Sequence, residues 1–307
     1  MKSFIMNATD ATALTNFSNE QLFFTAAETI LGIFANSFLI YIYFSSKKLQ
    51  SSLSNTLCAS LASVDICTSF LFMFRTVFMQ YFSTPPGIWT TLYCRFIYST
   101  FLIWASVGSS WFHIIAITFD RYVAVTFPIY YQKFSKSFVT KVSLILCSHI
   151  LGAFTYWSLI PIAENKNNEC IIVSNTWPKF LTFSLIFSHS ALVAFATITI
   201  VLLYSKILYH VLYRKRTEKV TKSQQRATTI CIILVAEFLL CSYPNAVYMQ
   251  VVYFEDLTGI GFGWTVKSVV YEITLQLIVA SSLINPLIYM TFNTTFHSTV
   301  KNIFMKT

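Results

Sequence analysis

Seven long runs of apolar residues constrain this chain more than any other feature of its sequence. A helix needs about 20 predominantly apolar residues to cross a bilayer, and nearly all of the runs are long enough. They cover Leu22–Phe44, Thr56–Tyr81, Leu92–Val125, Phe138–Ile162, Phe180–Tyr213, Ala227–Phe254 and Val266–Phe292. A backbone in hydrocarbon has to satisfy its own hydrogen bonds, so we expect helices, and the alternating segments of a membrane β-barrel are absent. The sequence therefore predicts an all-α membrane protein, a seven-transmembrane helix bundle.

The composition and the placement of charge support this prediction. Of the 307 residues, 55% are hydrophobic and only 11% are charged, whereas about a quarter of the residues are charged in soluble domains. The net charge of +9 comes mainly from Lys and Arg in the segments 47–48, 121–141, 206–226 and 301–306. These segments lie on one side of the predicted bundle, which marks that side as cytoplasmic and attracted to anionic lipid. The charge gives no reason to expect a nucleic-acid partner.

The runs divide the chain into three parts, residues 1–21, 22–292 and 293–307. An odd number of spans with a cytoplasmic C-terminus predicts that 1–21 is an extracellular segment. Asn7 and Asn16 each begin a sequon for N-glycosylation in that segment. Residues 22–292 are expected to form the bundle. Apolar residues recur every four positions after the seventh run, so we expect 293–307 to form a short amphipathic helix and a short cytoplasmic tail.

Groups of residues at the ends of the runs follow the order and spacing of one receptor family. The third run ends in Asp120-Arg121-Tyr122, and the seventh ends in Asn285-Pro286-Leu287-Ile288-Tyr289. Further positions that fit are Gly32, Asn36, Asp65, Trp89, Pro128, Ile129, Tyr204, Cys241 and Pro244. With these residues the chain resembles the rhodopsin-like (class A) G-protein-coupled receptors over residues 22–304, as a divergent orphan or chemosensory member.

The resemblance implies a signalling receptor rather than an enzyme. Its expected partners are an extracellular ligand, a heterotrimeric G protein at the cytoplasmic face and membrane lipid. The five histidines are scattered and no catalytic or nucleotide-binding motif occurs, so the residues also give no reason to expect an enzyme. The alternative is a multi-pass transporter or channel, which would predict an internal repeat or broken helices, and neither is visible.

An acidic residue within the second run predicts a polar pocket at mid-bilayer, because ionisable groups inside spans are costly and need polar company. Asp65 is that residue, and Ser110, Ser282 and Asn285 are positioned to surround it. Carboxylate, hydroxyl and amide oxygens suit a hard cation such as Na⁺. The alternative is a hydrogen-bond network with water and no ion.

The resemblance assigns the coupling switch to the inner ends of the helices. Its residues are Asp120, Arg121, Tyr122, Ile129, Tyr204, Asn285, Pro286 and Tyr289. Arg121 is expected to pair with Asp120 in the closed bundle and to release it on opening; the simpler alternative is an arginine that extends to lipid phosphate. Many relatives hold this arginine with an acid in the sixth helix, where this chain has Gln224. We therefore expect raised signalling without ligand.

The sixth run contains a hinge. Pro244 removes an internal hydrogen bond, and Phe238 and Cys241 precede it on the inward stripe. The family often carries a large aromatic residue two positions before the proline, where this chain has Ser242. Phe238 or Tyr243 is therefore expected to take over its role. Glu237, beside Phe238, is a second acid inside the bundle.

The resemblance also implies a disulfide and a ligand pocket at the outer side. Cys94 and Cys170 are expected to pair and to hold the loop 164–173 over the mouth of the bundle. The pocket is predicted to contain Arg75, Ile103, Trp104, Asn245, Tyr248, Tyr271, Glu272 and Leu275. Alternatively these rings only pack the core.

Two pocket positions bear on the class of ligand. Ile103 stands where amine receptors of the family place an aspartate, so an amine is not expected and a peptide or a small apolar or acidic molecule remains. Arg75 is the sharpest pointer, because a guanidinium suits a carboxylate. It alternatively pairs with Glu272 or extends to the outer interface.

Overall fold

Seven long helices and a short C-terminal helix form the main architecture of the described residues, and shorter helical turns connect them. The computed structural model describes residues 19–78, 86–172, 179–214, 222–258 and 267–305. The helices are α1 (Asn19–Phe44), α2 (Leu53–Met73), α3 (Phe101–Thr126), α4 (Phe138–Thr155), α5 (Lys179–Arg214), α6 (Lys222–Thr258), α7 (Lys267–Phe292) and α8 (Thr294–Phe304). Each of α1 to α7 is long and apolar enough to cross a membrane, with a mean hydropathy of 1.5 to 2.1 over its best segment. The predicted fold class is confirmed.

The backbone departs from regular α-helix at the outer ends of α2 and α3. Phe74–Phe78 continues α2 as a wider π-helical turn, and Tyr93–Tyr98 forms a second π-helical turn after the short helix Ile88–Leu92. Thr100 then has a φ of 65°, and regular helix starts only at Phe101. The predicted start of the third span at Leu92 is therefore wrong, because the apolar run continues through a backbone break that hydropathy does not detect.

A small β-hairpin lies between α4 and α5. A 3₁₀ turn (Trp157–Ile162) follows α4 and contains a proline, and the strands β1 (Ala163–Lys166) and β2 (Glu169–Ile172) then pair antiparallel. Asn167 and Asn168 connect them with φ values of 56° and 65°. Asparagine tolerates this left-handed conformation, and two such residues form the hairpin turn that matches the twist of the strands.

Helices α3 and α4 approach each other very closely. The contact is made at Gly108 of α3 and Gly152 of α4, where backbone meets backbone. A β-carbon added at Gly152 would lie 2.8 Å from the Cα of Ser109. Small residues permit this kind of packing in membranes, where the apolar lipid gives no hydrophobic drive for helices to associate.

Helix α8 begins at a well-formed cap and packs under the bundle. The Asn293 side-chain oxygen accepts hydrogen bonds from the backbone N–H groups of Thr295 (3.0 Å) and Phe296 (3.1 Å). The buried ring of Phe296 then makes edge contacts with Phe38 at 6.2 Å and Tyr289 at 5.9 Å between centroids. This contact fixes α8 against α1 and α7.

Candidate functional site: a receptor bundle with an outer cavity and an inner switch

The outer mouth carries a disulfide. Cys94, in the π-helical turn before α3, is bonded to Cys170 of β2, with Cα atoms 5.3 Å apart. This confirms the predicted pairing and attaches the hairpin to α3. Asn7 and Asn16, the predicted glycosylation sites, lie outside the residues that the structure describes, so the glycosylation remains a prediction.

A cavity lies between the outer parts of α2, α3 and α7. Its lining residues are Phe72, Arg75, Thr76, Ile103, Trp104, Tyr271 and Leu275. Its volume is about 20 Å³, enough for one water molecule in the closed bundle. The structure thus brings Arg75, Ile103, Trp104, Tyr271 and Leu275 of the predicted pocket around one space.

The other three predicted pocket residues lie away from this lining. Asn245 donates a hydrogen bond to Thr274 at 3.1 Å, which ties α6 to α7. The Tyr248 ring contacts the ring of Tyr271, 5.7 Å between centroids. Glu272 is not among the lining residues.

Arg75 is the charged group of the cavity. It lies in the π-helical turn Phe74–Phe78, and such turns are frequent at functional sites. Within the described residues the structure forms a salt bridge at Asp120 and Arg121, and the alternative pairing of Arg75 with Glu272 is not formed. The Tyr271 ring is within electrostatic range of the guanidinium.

A second cavity lies deeper in the bundle and brings the predicted polar pocket together. Asp65, Ser110, Ser282 and Asn285 all line it, with Ser242 and Ser281 adding further hydroxyls, and its volume is about 20 Å³. The Asn285 side-chain nitrogen donates to Asp65 at 3.3 Å, while its side-chain oxygen is buried without a partner. Oxygen atoms of this kind fit Na⁺ or water, and the space admits one of either.

Glu237 lies next to this cavity and is buried, with 8% of its surface exposed. Its polar neighbours are Ser281 of α7 and Cys241 of α6. Neither carboxyl oxygen makes a hydrogen bond of normal geometry.

An aromatic cluster joins α3, α5 and α6 at the hinge. The ring of Trp111 lies edge-on to Phe238 at 4.8 Å and close to Tyr243 at 5.8 Å, and the Tyr243 hydroxyl is hydrogen-bonded to Thr197 of α5. Pro244 follows within the continuous helix α6. Phe238 or Tyr243 was expected to take over the role of the missing aromatic residue, and Trp111 was not anticipated. Its spacing on the buried face of α3 was the available signal.

At the inner end of α3, Asp120 and Arg121 pair as expected. The Arg121 Nε donates to Asp120 Oδ2 at 2.8 Å, and its Nη2 contacts the same oxygen. Tyr131, in the short helix Pro128–Phe134, completes the cluster: its hydroxyl accepts from Arg121 at 3.1 Å and donates to Asp120 Oδ1 at 2.9 Å. Burial raises the pKa of Tyr131 well above its ordinary value, so the hydroxyl keeps its proton. Sequence reasoning missed this residue.

The other motif residues surround this cluster. The Tyr289 hydroxyl donates to Asn55 Oδ1 at 2.6 Å, and Asn293 donates to the same oxygen at 3.3 Å, which ties α7 and α8 to α2. Tyr204 of α5 is partly buried near Thr118, and its hydroxyl makes no hydrogen bond of normal geometry.

Two further switch residues lie toward the second inner loop. The Tyr122 ring packs against Phe127, with the Lys206 amine 5.8 Å from its centroid. Ile129 is exposed over 87% of its surface. The side chain of Gln224 lies outside the described residues, so the expected weak lock stays a prediction.

Comparisons with known proteins agree with this geometry. Residues 35–289 match the family of 7 transmembrane receptors (rhodopsin family). The chain is similar to the mouse trace amine-associated receptor 7d, with 27% identity over 81% of this chain and 72% of that receptor. It is also similar to the mouse trace amine-associated receptor 9 (26%, 89% and 80%) and the rat trace amine-associated receptor 6 (25%, 89% and 81%). The chain belongs to the rhodopsin family of seven-transmembrane, G-protein-coupled receptors, which are not enzymes.

Proposed function

We propose that this receptor binds an extracellular ligand, a peptide or a small apolar or acidic molecule, in the cavity around Arg75 and Trp104. Binding opens the inner face of the bundle in the plasma membrane and activates a heterotrimeric G protein. Family membership carries the signalling role, and it disfavours the alternative of a transporter or channel. The observation that supports the ligand site is the cavity that Arg75 and Trp104 line between α2, α3 and α7.

The same disulfide supports the orientation. A disulfide forms in an oxidising compartment, so the side that carries Cys94 and Cys170 faces outward. The N-terminal segment lies on that side of a seven-span chain, and the Asp120–Arg121–Tyr131 cluster then faces the cytoplasm.

The signalling role is tested by recruitment of G protein in cells, measured without ligand. Arg121→Ala removes the guanidinium that is expected to contact the G protein after release from Asp120. We expect recruitment to fall to background while the amount of receptor at the cell surface stays unchanged. The matched control is Arg95→Ala, an exposed arginine at the outer side, which leaves recruitment intact. Unchanged recruitment by Arg121→Ala would contradict the proposed switch.

The cavity at Asp65 is proposed to hold Na⁺, with Asp65, Ser110, Ser282 and Asn285 as its oxygen ligands. The orphaned side-chain oxygen of Asn285 and the volume of about 20 Å³ support an ion or a water molecule at this point. Ligand-free signalling is therefore measured with Na⁺ and with a larger organic cation, in wild type and in Asp65→Asn. A Na⁺ effect that Asp65→Asn abolishes supports the ion; equal signalling in all four conditions assigns the cavity to water.

A further inference from the structure

The outer cavity holds one basic side chain and, among the described residues that line it, no acidic one. Arg75 supplies the charge, and the lining contains neither aspartate nor glutamate. An ammonium ligand would need an anionic partner, and here it would meet a guanidinium instead. The relatives reported above are named for trace amines, so the charge of this cavity is the opposite of what an amine requires.

The position of Arg75 within a membrane span indicates that this charge is functional. Charged side chains within membrane spans are costly unless they pair, line a cavity or serve a function. Arg75 lies inside the span Leu53–Thr76, half-buried, and forms no salt bridge with the described residues. The π-helical turn changes the direction of the side chains at this point of α2, and Arg75 lines the cavity as a result. A free guanidinium with five N–H donors is thereby presented to an incoming ligand.

The rest of the lining is mainly apolar and aromatic. Phe72, Ile103, Trp104 and Leu275 form most of the wall, and Thr76 and Tyr271 add two hydroxyls. Trp104 is held in place because its ring packs against the buried Tyr156 ring, 6.0 Å between centroids. This wall favours an apolar body behind an anionic head, and the small volume of the closed cavity favours a compact molecule.

We infer that the ligand is a small carboxylate with an apolar or aromatic body, whose carboxylate binds Arg75 through paired N–H···O bonds. The body lies between Trp104, Ile103 and Leu275. This inference rests on the proposed receptor function and narrows its ligand. The same carboxylate chemistry is offered by free acids and by the C-terminus of a short peptide.

The test compares acids and amines that share a carbon skeleton. Cells that express the receptor are exposed to arylalkyl and alkyl monocarboxylic acids, to the corresponding primary amines, and to short apolar peptides with free or amidated C-termini. We expect responses to the acids and none to the amines or amides. A response to free-acid peptides but not to small acids would assign the carboxylate to a peptide and overturn the compact ligand.

Variants separate the role of Arg75 from general damage. Arg75→Gln is expected to raise the acid concentration for half-maximal response roughly 10- to 100-fold, since hydrogen bonds to charged groups are lost. Arg75→Lys keeps the charge without the paired geometry, so its concentration for half-maximal response should lie between those of wild type and Arg75→Gln. Arg95→Gln, outside the cavity, responds like wild type. The double variant Arg75→Gln/Ile103→Asp reverses the charge and is expected to respond to the amines.

The outcomes distinguish this inference from the signalling role. If no acid acts while ligand-free signalling is intact and sensitive to Arg121→Ala, the receptor function stands and the carboxylate is overturned. If Arg75→Gln answers acids as wild type does, the role of Arg75 is overturned. If acids raise the melting temperature of the purified wild-type receptor but not of Arg75→Gln, and no signal follows, the binding site stands and the proposed function fails.

Discussion

The outer and inner halves of the bundle are built differently. Toward the outside, regular helix gives way to the π-helical turns Phe74–Phe78 and Tyr93–Tyr98, the left-handed Thr100 and the 3₁₀ turn Trp157–Ile162. Toward the inside, the helices are regular and the motif side chains bond to one another, as at Asp120 and Arg121.

The difference shows where a membrane protein can place irregular backbone. Such backbone is tolerated at membrane depth only where it is buried in protein or lines a cavity, and here the turn Phe74–Phe78 contributes Arg75 and Thr76 to the lining of the outer cavity. The cavity among the inner motif residues, lined by Asn285, Pro286 and Tyr289 among others, is smaller, at about 10 Å³. On the proposed function, backbone geometry shapes recognition in the outer half, and hydrogen bonds that can break carry signalling in the inner half.

We expect the aromatic cluster at Trp111 to couple the outer half of the bundle to the inner half. Trp111→Ala removes the ring that touches Phe238 and Tyr243, and we expect the free energy of unfolding to fall by about 3–5 kcal/mol, as for other buried large-to-small changes. Thermal unfolding of the purified receptor measures the loss. Trp89→Ala is the matched control, because Trp89 is largely exposed. Equal melting temperatures for Trp111→Ala and Trp89→Ala would show that the ring contacts of Trp111 do not stabilise the bundle.

A smaller effect is expected at the inner cluster. Tyr131→Phe removes the hydroxyl that bridges Asp120 and Arg121, which stabilises the closed state by about 1 kcal/mol if it behaves as an ordinary hydrogen bond. Ligand-free signalling per surface receptor should rise several-fold. Tyr130→Phe, next to it but exposed, provides the control. Lower signalling in Tyr131→Phe would mean that this hydroxyl stabilises the open state instead.

The smallest effect is expected in the outer backbone. Thr100 is a β-branched residue at a φ of 65°, a conformation that costs L-residues about 1–2 kcal/mol and glycine very little. Thr100→Gly should raise the free energy of unfolding by up to about 1 kcal/mol, with signalling unchanged. Thr140→Gly, in regular helix α4, should lower it by roughly 0.3 kcal/mol, the difference between the helix propensities of the two residues. A loss of stability in Thr100→Gly would show that the contacts of the Thr100 side chain stabilise the fold by more than its backbone strain costs.

The sequence predicted the number of spans, the family and the disulfide, because length, hydropathy and spaced motifs report on them directly. It also gathered Asp65, Ser110, Ser282 and Asn285, since helical spacing places them at one depth. The start of α3 was missed because a π-helical turn is as apolar as the α-helix that it interrupts.

Contacts between elements were harder to predict than the elements. Tyr131 lies in a connecting helix, and nothing in its neighbourhood indicates that its hydroxyl returns to Asp120 and Arg121. Glu272 was expected in the pocket, where it was the alternative partner of Arg75, yet it is absent from the lining. One residue of difference turns a helical side chain by about 100°, so small errors in register move a residue out of a site.

The contact between Gly108 of α3 and Gly152 of α4 has a consequence for how the receptor changes shape. Direct backbone contact leaves little free space between α3 and α4, so we expect that they cannot slide or separate without losing much of this contact. We expect α3 and α4 to move as one unit, and α6, which contains Pro244, to move relative to them when the inner face opens. A larger residue at Gly108 or Gly152 would then weaken the response to every ligand equally, because it would deform the packing of α3 against α4.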